Sequence, residues 1–173
     1  EIKNLNKKNS FIRNINFPLL GNHNVENALA AISVCINFKI NKNIIKNSLE
    51  TFHGVKRRLT KIYDNDDIIF FDDYAHHPTE IRETLNALKG KSGRLISVIQ
   101  PHRYSRLNEN YGNFIKSLRN ADISIILPIF SAGEIKVRGI NSLNLTRDIN
   151  SKKYTKAYYA SNFLKAKNKL NHI

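Results

Sequence analysis

The chain has 173 residues, a hydrophobic fraction of 41%, 28 Lys and Arg against 14 Asp and Glu, and a single cysteine. That length suits one ordinary domain or a small domain with part of another, and the apolar content is adequate for a packed core. No apolar run approaches the roughly 18 residues of a membrane span, nothing at the start resembles a signal peptide, and one cysteine leaves no internal disulfide, which favours a reducing, cytoplasmic setting. The net charge of +14 raises nucleic-acid binding as a class. Against it, the lysines are scattered among abundant Asn and Ile, as an AT-biased genome imposes, and no aromatic-basic interleaving of the single-strand-binding kind occurs.

In chain order, residues 1–10 are polar and read as a loop, and the first residue, Glu1 rather than Met, suggests a fragment. Residues 11–20 alternate apolar and polar positions and predict a strand closed by Pro18 and Gly21. A helix follows, with Ala28, Leu29, Ala31, Ile32, Cys35 and Ile36 at helical spacing; Cys35 reads as core filling. Asn24 and Asn27 share a face at its start. Asn24 can be an N-cap, or the two carboxamides can present a paired donor and acceptor edge to a purine. A second helix over residues 43–52 carries Ile44, Ile45 and Leu49. The segment Gly54-Val55-Lys56-Arg57-Arg58 then offers either a surface arginine pair or a phosphate clamp, and a domain boundary is placed after Arg58, dividing the chain into 1–58 and 59–173.

Beyond Leu59 the pattern repeats strand, polar loop and helix. Ile68-Ile69-Phe70-Phe71 predicts a strand buried on both faces of a parallel sheet. It leads into Asp72-Asp73-Tyr74-Ala75-His76-His77-Pro78-Thr79-Glu80, where Pro78 suits the first helical position and Glu80 the first turn. Residues 95–99 and 123–127 predict further strands, followed by Gln100-Pro101-His102-Arg103-Tyr104-Ser105-Arg106 and by a loop ending in Ala132-Gly133-Glu134. Leu143, Leu145 and Ile149 suggest a short helix, Ala157-Tyr158-Tyr159 a fourth parallel strand, and residues 163–170 a last helix. The fold class is therefore α/β, a doubly wound, mostly parallel Rossmann-like sheet with its site on the rim at the strands' carboxyl ends.

Gly90-Lys91-Ser92 fails as a phosphate loop, because position 85 is Leu and the segment follows a helix; it reads as a turn. Asp72, Asp73, His76, His77 and His102 are residue types of a metal-dependent hydrolase. Adjacent His76 and His77 point in different directions, however, and no second carboxylate loop accompanies them, so no protein metal ligand is assigned. Arg103 and Arg106, three apart at a helix start, can be exposed surface residues or can receive a carboxylate or phosphate. Asp73 and Glu134 on neighbouring loops favour an anionic, hydroxyl-bearing ligand.

Together Gly21-x-His23-Asn24-x-x-Asn27, Gly54-Val55-x-Arg57-Arg58, the Asp72 to Glu80 run, Gln100 to Arg106 and Ala132-Gly133-Glu134 resemble the Mur ligase family, in its alanine-adding branch, over residues 10–150. The related murein tripeptide recycling branch is the alternative; Thr79-Glu80 and Gln100 to Arg106 favour alanine addition. The resemblance implies an ATP- and Mg²⁺-dependent amide ligase of peptidoglycan synthesis, acting on UDP-N-acetylmuramate and L-alanine through an acyl phosphate. It implies that Asn24 and Asn27 face adenine, that Arg58 reaches the phosphates or ribose, and that Asp73 holds ribose hydroxyls. Tyr74, His76, Arg103 and Arg106 would line the place where the amino acid meets the muramic carboxylate, with His76, Arg103 and Arg106 catalytic. Residues 1–58 would end the central ATPase domain as its helical tail, and 59–173 would form most of the carboxyl-terminal domain. The family's sugar-binding domain, its glycine-rich phosphate loop, most of the Mg²⁺ ligands and a glycine-rich segment near the carboxyl end are missing, so the fragment alone is expected to be inactive. Leu107, where the family commonly has Thr, is expected to be a peripheral change.

Overall fold

The computed structural model describes residues 12–90 and 93–173. The loop expected over residues 1–10, the start of the first strand at Phe11, and Lys91 and Ser92 of the turn expected after Gly90 lie outside the described residues. The chain divides into two compact units, Glu1–Asp73 and Tyr74–Ile173.

In the first unit, α1 (Asn22–Asn37) and α2 (Lys42–Glu50) pack together. Ile32 and Ile45 bury their side chains with Ile12, and Ile15, Cys35, Ile36 and Leu49 close around them. Cys35 is thus core filling. The Asn41 side chain caps α2 by accepting from Asn43 N at 2.8 Å, satisfying one of the amide donors a helix start leaves over. The strand expected over residues 11–20 does not form in its described part, which has no regular element. Asn14 takes a left-handed φ of 55°, Pro18 has no donor, and Asn16 N donates to Glu50 Oε1 at 2.9 Å instead of to a strand neighbour.

The run at 68–71 also departs from expectation. β1 (Thr60–Asp64) and β2 (Ile69–Asp72) form an antiparallel ribbon with an irregularity between Lys61 and Tyr63. Ile69 and Phe70 are 48% and 45% exposed, not buried on two faces. The reason is the short connection. Asn65 Oδ1 accepts from Asp67 N at 3.1 Å and Ile68 N at 2.7 Å, a side-chain turn that reverses the chain at once, whereas parallel neighbours need a crossover of about a dozen residues or more.

The second unit holds the doubly wound sheet. β3 (Ile96–Ile99), β4 (Ile123–Ile126) and β5 (Lys156–Tyr159) run parallel in the order β3-β4-β5. The crossover between β3 and β4 contains α4 (Tyr104–Glu109) and α5 (Tyr111–Ser117), and that between β4 and β5 contains α6 (Ser142–Lys152). Before and after the sheet come α3 (Pro78–Leu88) and α7 (Phe163–Leu170).

All four residues of β4 are buried. Its side chains alternate between faces as a strand's must. Ile126 joins Ile81 and Leu85 of α3, Phe114 and Ile115 of α5, and Leu145 and Ile149 of α6. Ile125 and Leu127 join Ala160 and Ala166 in the second cluster, with Leu170 against it. The sheet is covered by helices on both sides of β4, which accounts for the near-continuous apolar sequence there. Leu107 is 2% exposed and belongs to the larger cluster; it is a core residue, not a peripheral one, because α4 turns it inward while its neighbours stay on the rim.

Candidate functional site

The second unit gathers its chemistry at the carboxyl ends of β3 and β4, where an open α/β sheet leaves unpaired strand ends and loops. The loops continue the strand pairing beyond the sheet. Phe130 N donates to Pro101 O at 2.9 Å and Arg103 N to Phe130 O at 2.8 Å, with His102 and Phe130 as an isolated parallel bridge. The buried strand β4 and its partly buried neighbour β3 therefore hold the loops that carry the functional groups.

Four rings follow one another across this rim. Tyr74 and His76 lie with centroids 5.0 Å apart, His76 and His102 at 5.3 Å, and His102 and Phe130 at 5.3 Å. His76 is oriented by its backbone and by the start of α3. His76 Nδ1 lies 2.7 Å from Tyr74 O, and since a carbonyl only accepts, Nδ1 carries the hydrogen and Nε2 of the neutral ring is an acceptor. Glu80 Oε2 accepts from His76 N and His77 N, both at 3.1 Å, while His77 Nδ1 accepts from Thr79 N at 3.3 Å. With Pro78 at the first helical position, this is a capping box, and it fixes His77 as a structural residue.

His102 has the complementary tautomer. Its Nδ1 lies 3.4 Å from Arg106 Nη1, a long contact, and a guanidinium only donates, so Nδ1 accepts and the neutral ring bears its hydrogen on Nε2. Burial lowers the His102 pKa, the neighbouring charges of His76, Arg106 and Arg103 add to that, and Glu134 opposes it. His102 is thereby held neutral beside two arginines.

Arg103 and Arg106 flank the start of α4 as expected, but the amide donor there is already engaged. Glu134 Oε2 accepts from Ser105 N at 3.0 Å and its Oε1 from Ser105 Oγ at 2.7 Å. Arg103 Nη1 lies 3.8 Å from Glu134 Oε1. The two bonds from Ser105 hold the Glu134 carboxyl below the usual carboxylate range, and Arg103 reinforces them. Glu134 is thus committed to protein partners and not presented whole to a ligand. The structure brings Tyr74, His76, Arg103 and Arg106 to one rim, together with His102, Ser105, Glu134 and Phe130. Ser105 carried no sequence signal beyond membership of the Gln100 to Arg106 motif, and Phe130 none beyond its place in the loop after residues 123–127.

The remaining sequence-derived candidates lie in the first unit. Gly21, not Asn24, occupies the N-cap of α1, so the capping reading of Asn24 does not hold. Asn24 instead donates from Nδ2 to Leu20 O at 2.7 Å, leaving its Oδ1 edge, while Asn27 is exposed one turn on. Arg58 is exposed in a turn closed by Arg58 N donating to Val55 O at 3.2 Å. Asp73 Oδ2 accepts from Leu59 N at 2.7 Å, and Asp72 lies 3.8 Å from Arg57. A cleft of about 560 Å³ runs between residues 12–17 and α1, lined by Val25, Ala28 and Leu29 among others. Among the described residues no group of three or more His, Cys, Asp or Glu side chains is placed to hold a metal ion.

A family model described as Mur ligase, glutamate ligase domain, matches residues 57–172. The chain belongs to the Mur ligase family. Within it, the UDP-N-acetylmuramate-L-alanine ligase of Pelagibacter ubique is 47% identical over 145 residues, 83% of this chain and 31% of that protein. The corresponding ligase of a Sulfurihydrogenibium species is 43% identical over 162 residues, 92% of this chain and 35% of that protein. Among solved structures, the UDP-N-acetylmuramate-alanine ligase of Thermotoga maritima superposes with a TM-score of 0.67 at 29% identity, covering 84% of this chain and 31% of that one. The chain therefore spans about a third of the length of the Mur ligases it matches. Among the described residues no helix is long and apolar enough to cross a membrane.

Proposed function

We propose that this chain is part of a cytoplasmic, ATP-dependent amide ligase that joins L-alanine to the carboxylate of UDP-N-acetylmuramate in peptidoglycan synthesis. The observation that carries the proposal is the rim itself: Arg103 and Arg106 stand beside the successive, mutually tilted rings of Tyr74, His76 and His102 at the ends of two parallel strands. The names of relatives 47% and 43% identical supply the substrates. In this reading residues 1–58 end an ATP-binding domain and 59–173 belong to the carboxyl-terminal domain, with Asn24 and Asn27 toward adenine, Arg58 toward phosphate or ribose, and Asp73 toward the ribose hydroxyls.

The chemistry follows from charge. A carboxylate resists attack until ATP converts it to an acyl phosphate; the amine then adds to the acyl carbon, and the tetrahedral intermediate collapses with loss of phosphate. Both steps gather negative charge, which arginine donors already in place stabilise. One arginine receives the amino acid's carboxylate so that its nitrogen is presented at attack distance. His76, with Nδ1–H bound to Tyr74 O, offers Nε2 to the proton the ammonium must lose. Tyr74 bounds the side-chain space.

The test is phosphate release by the full-length ligase with ATP, Mg²⁺ and UDP-N-acetylmuramate, comparing L-alanine with the murein tripeptide as amine. Release with L-alanine is the expected result. Release only with the tripeptide moves the chain to the recycling branch, and no release with either amine overturns the reading.

A further inference from the structure

Glu134 stands in no assigned role, yet it is the side chain that ties the two rim loops together. It reaches from the loop after β4 to the start of α4, where its two oxygens take the backbone and hydroxyl hydrogens of Ser105 at 3.0 and 2.7 Å and Oε1 lies 3.8 Å from Arg103 Nη1. The loop is bent to allow this. Ala132 and Gly133 both have left-handed φ, 51° and 85°, and Glu134 N donates to Ser131 O at 3.0 Å. Arg103 itself has a φ of 68°, a conformation that a residue with a Cβ adopts only under constraint. That constraint comes from the same loop on both sides: Phe130 O takes the Arg103 amide, and Glu134 faces its guanidinium.

An alternative role, direct contact with substrate, fits the geometry poorly, because both carboxylate oxygens already accept from Ser105. The charge of Glu134 also matters. A long, flexible arginine beside a second arginine is pushed outward by like charge, and an ionised carboxylate anchored by Ser105 opposes that push.

We propose that Glu134 is a positioning residue: anchored on Ser105, it presets the Arg103 guanidinium so that the arginine pair meets the amino acid's carboxylate already in place. The inference rests on the ligase reading above and adds to it a residue outside the substrate contacts. Removing the anchor weakens capture of the amino acid more than it weakens the other substrates or the fold, since a preset donor loses little freedom on binding and a loose one loses more.

The experiment uses the full-length ligase with Glu134→Ala, Glu134→Gln and Ser105→Ala. The KM for L-alanine is expected to rise about tenfold in Glu134→Ala and about threefold in Ser105→Ala, with KM for ATP and for the UDP sugar within about twofold of the parent. Glu134→Gln, which keeps the shape and one acceptor but loses the charge, is expected to lie near Glu134→Ala. A second readout separates positioning from folding and from the identity of the substrate. The Nε–H resonance of Arg103, identified by its loss in Arg103→Lys, is expected to stand apart in the parent and to merge with the exchanging arginines in Glu134→Gln. An unchanged Arg103 resonance, an unchanged KM for L-alanine in an active enzyme, or an equal rise in all three KM values together with a matching fall in Tm overturns the proposal. If the parent releases no phosphate with L-alanine, the ligase reading fails, and the Arg103 resonance alone decides whether Glu134 positions the arginine.

Discussion

The strands β2 and β4 have similar apolar sequences and opposite fates. Ile69 and Phe70 in β2 remain 48% and 45% exposed, whereas Ile125 and Ile126 in β4 are fully buried. Hydrophobicity does not separate them. Connection does: β2 follows a tight side-chain turn and pairs antiparallel with β1, while β4 is reached through helices that return the chain parallel to β3 and then cover the strand. The consequence is functional, since Phe130 and Glu134 leave a strand anchored by two apolar clusters.

The contrast is sharpest in stability. Ile126→Ala is expected to cost about 2–5 kcal/mol, the range for deleting a large side chain from a closed core, whereas Phe70→Ala on the ribbon is expected to cost less than about 1 kcal/mol, as for surface positions; denaturant unfolding of the chain measures both. Equal losses would show that the ribbon is as tightly built as the parallel sheet. Next in size is the rim. Arg106→Ala is expected to lower ligation by the full-length enzyme about 100-fold, the lower end for losing one preorganised charge-stabilising donor, with little change in Tm. A Tm loss that accounts for the activity loss would make Arg106 structural.

Smaller effects probe how the sheet supports the rim. Ser97 Oγ and Ser124 Oγ are 2.8 Å apart in the buried sheet, and Thr155 Oγ1 is 3.4 Å from Ser124. Ser124→Ala is expected to cost about 1 kcal/mol, because a buried hydroxyl partner is removed; no measurable loss would mean that Ser97 is satisfied through Ile123 O alone.

The smallest expected effect is the pH response of His102. Burial first, then His76, Arg106 and Arg103, lower its pKa in the folded chain, with Glu134 opposing. A histidine lowered from an unfolded value of about 6.5 contributes stability that is fully present above that pH and is lost as pH falls through the folded value. His102→Gln is therefore expected to flatten the stability profile below about pH 6.5, measured by unfolding across pH. Glu134 has the same sign at more acidic pH, since its depressed carboxyl pKa gives stability that is lost when it protonates. A profile below pH 6.5 identical in parent and His102→Gln would place His102 outside this response.

Much of the second unit was legible. Apolar runs bounded by polar loops marked β3, β4 and β5, and the helix at Phe163–Leu170 has the bounds its periodicity predicts. The first unit was less so, because residues 12–20 alternate like a strand but contain Asn14 in a left-handed conformation and a proline. Alternation cannot report whether a partner strand is present. At the rim, the family resemblance pointed to Arg103, Arg106, His76 and Tyr74 as neighbours, yet neither it nor the motif spacing offered a means of telling that Ser105 would take Glu134 from a loop 29 positions away.

The sequence by itself determined the parallel α/β repeat, the start of α3 at Pro78 with Glu80 in its first turn and the residue types gathered at the strand ends, because periodicity, helix starts and turns are local and act over a few residues. Only the tertiary structure decided that β2 lies in an antiparallel ribbon, that Leu107 is core and that Glu134 serves Ser105 and Arg103. Each of these depends on which distant group comes within hydrogen-bonding or packing distance, and distance across the fold is not encoded in any one stretch of chain.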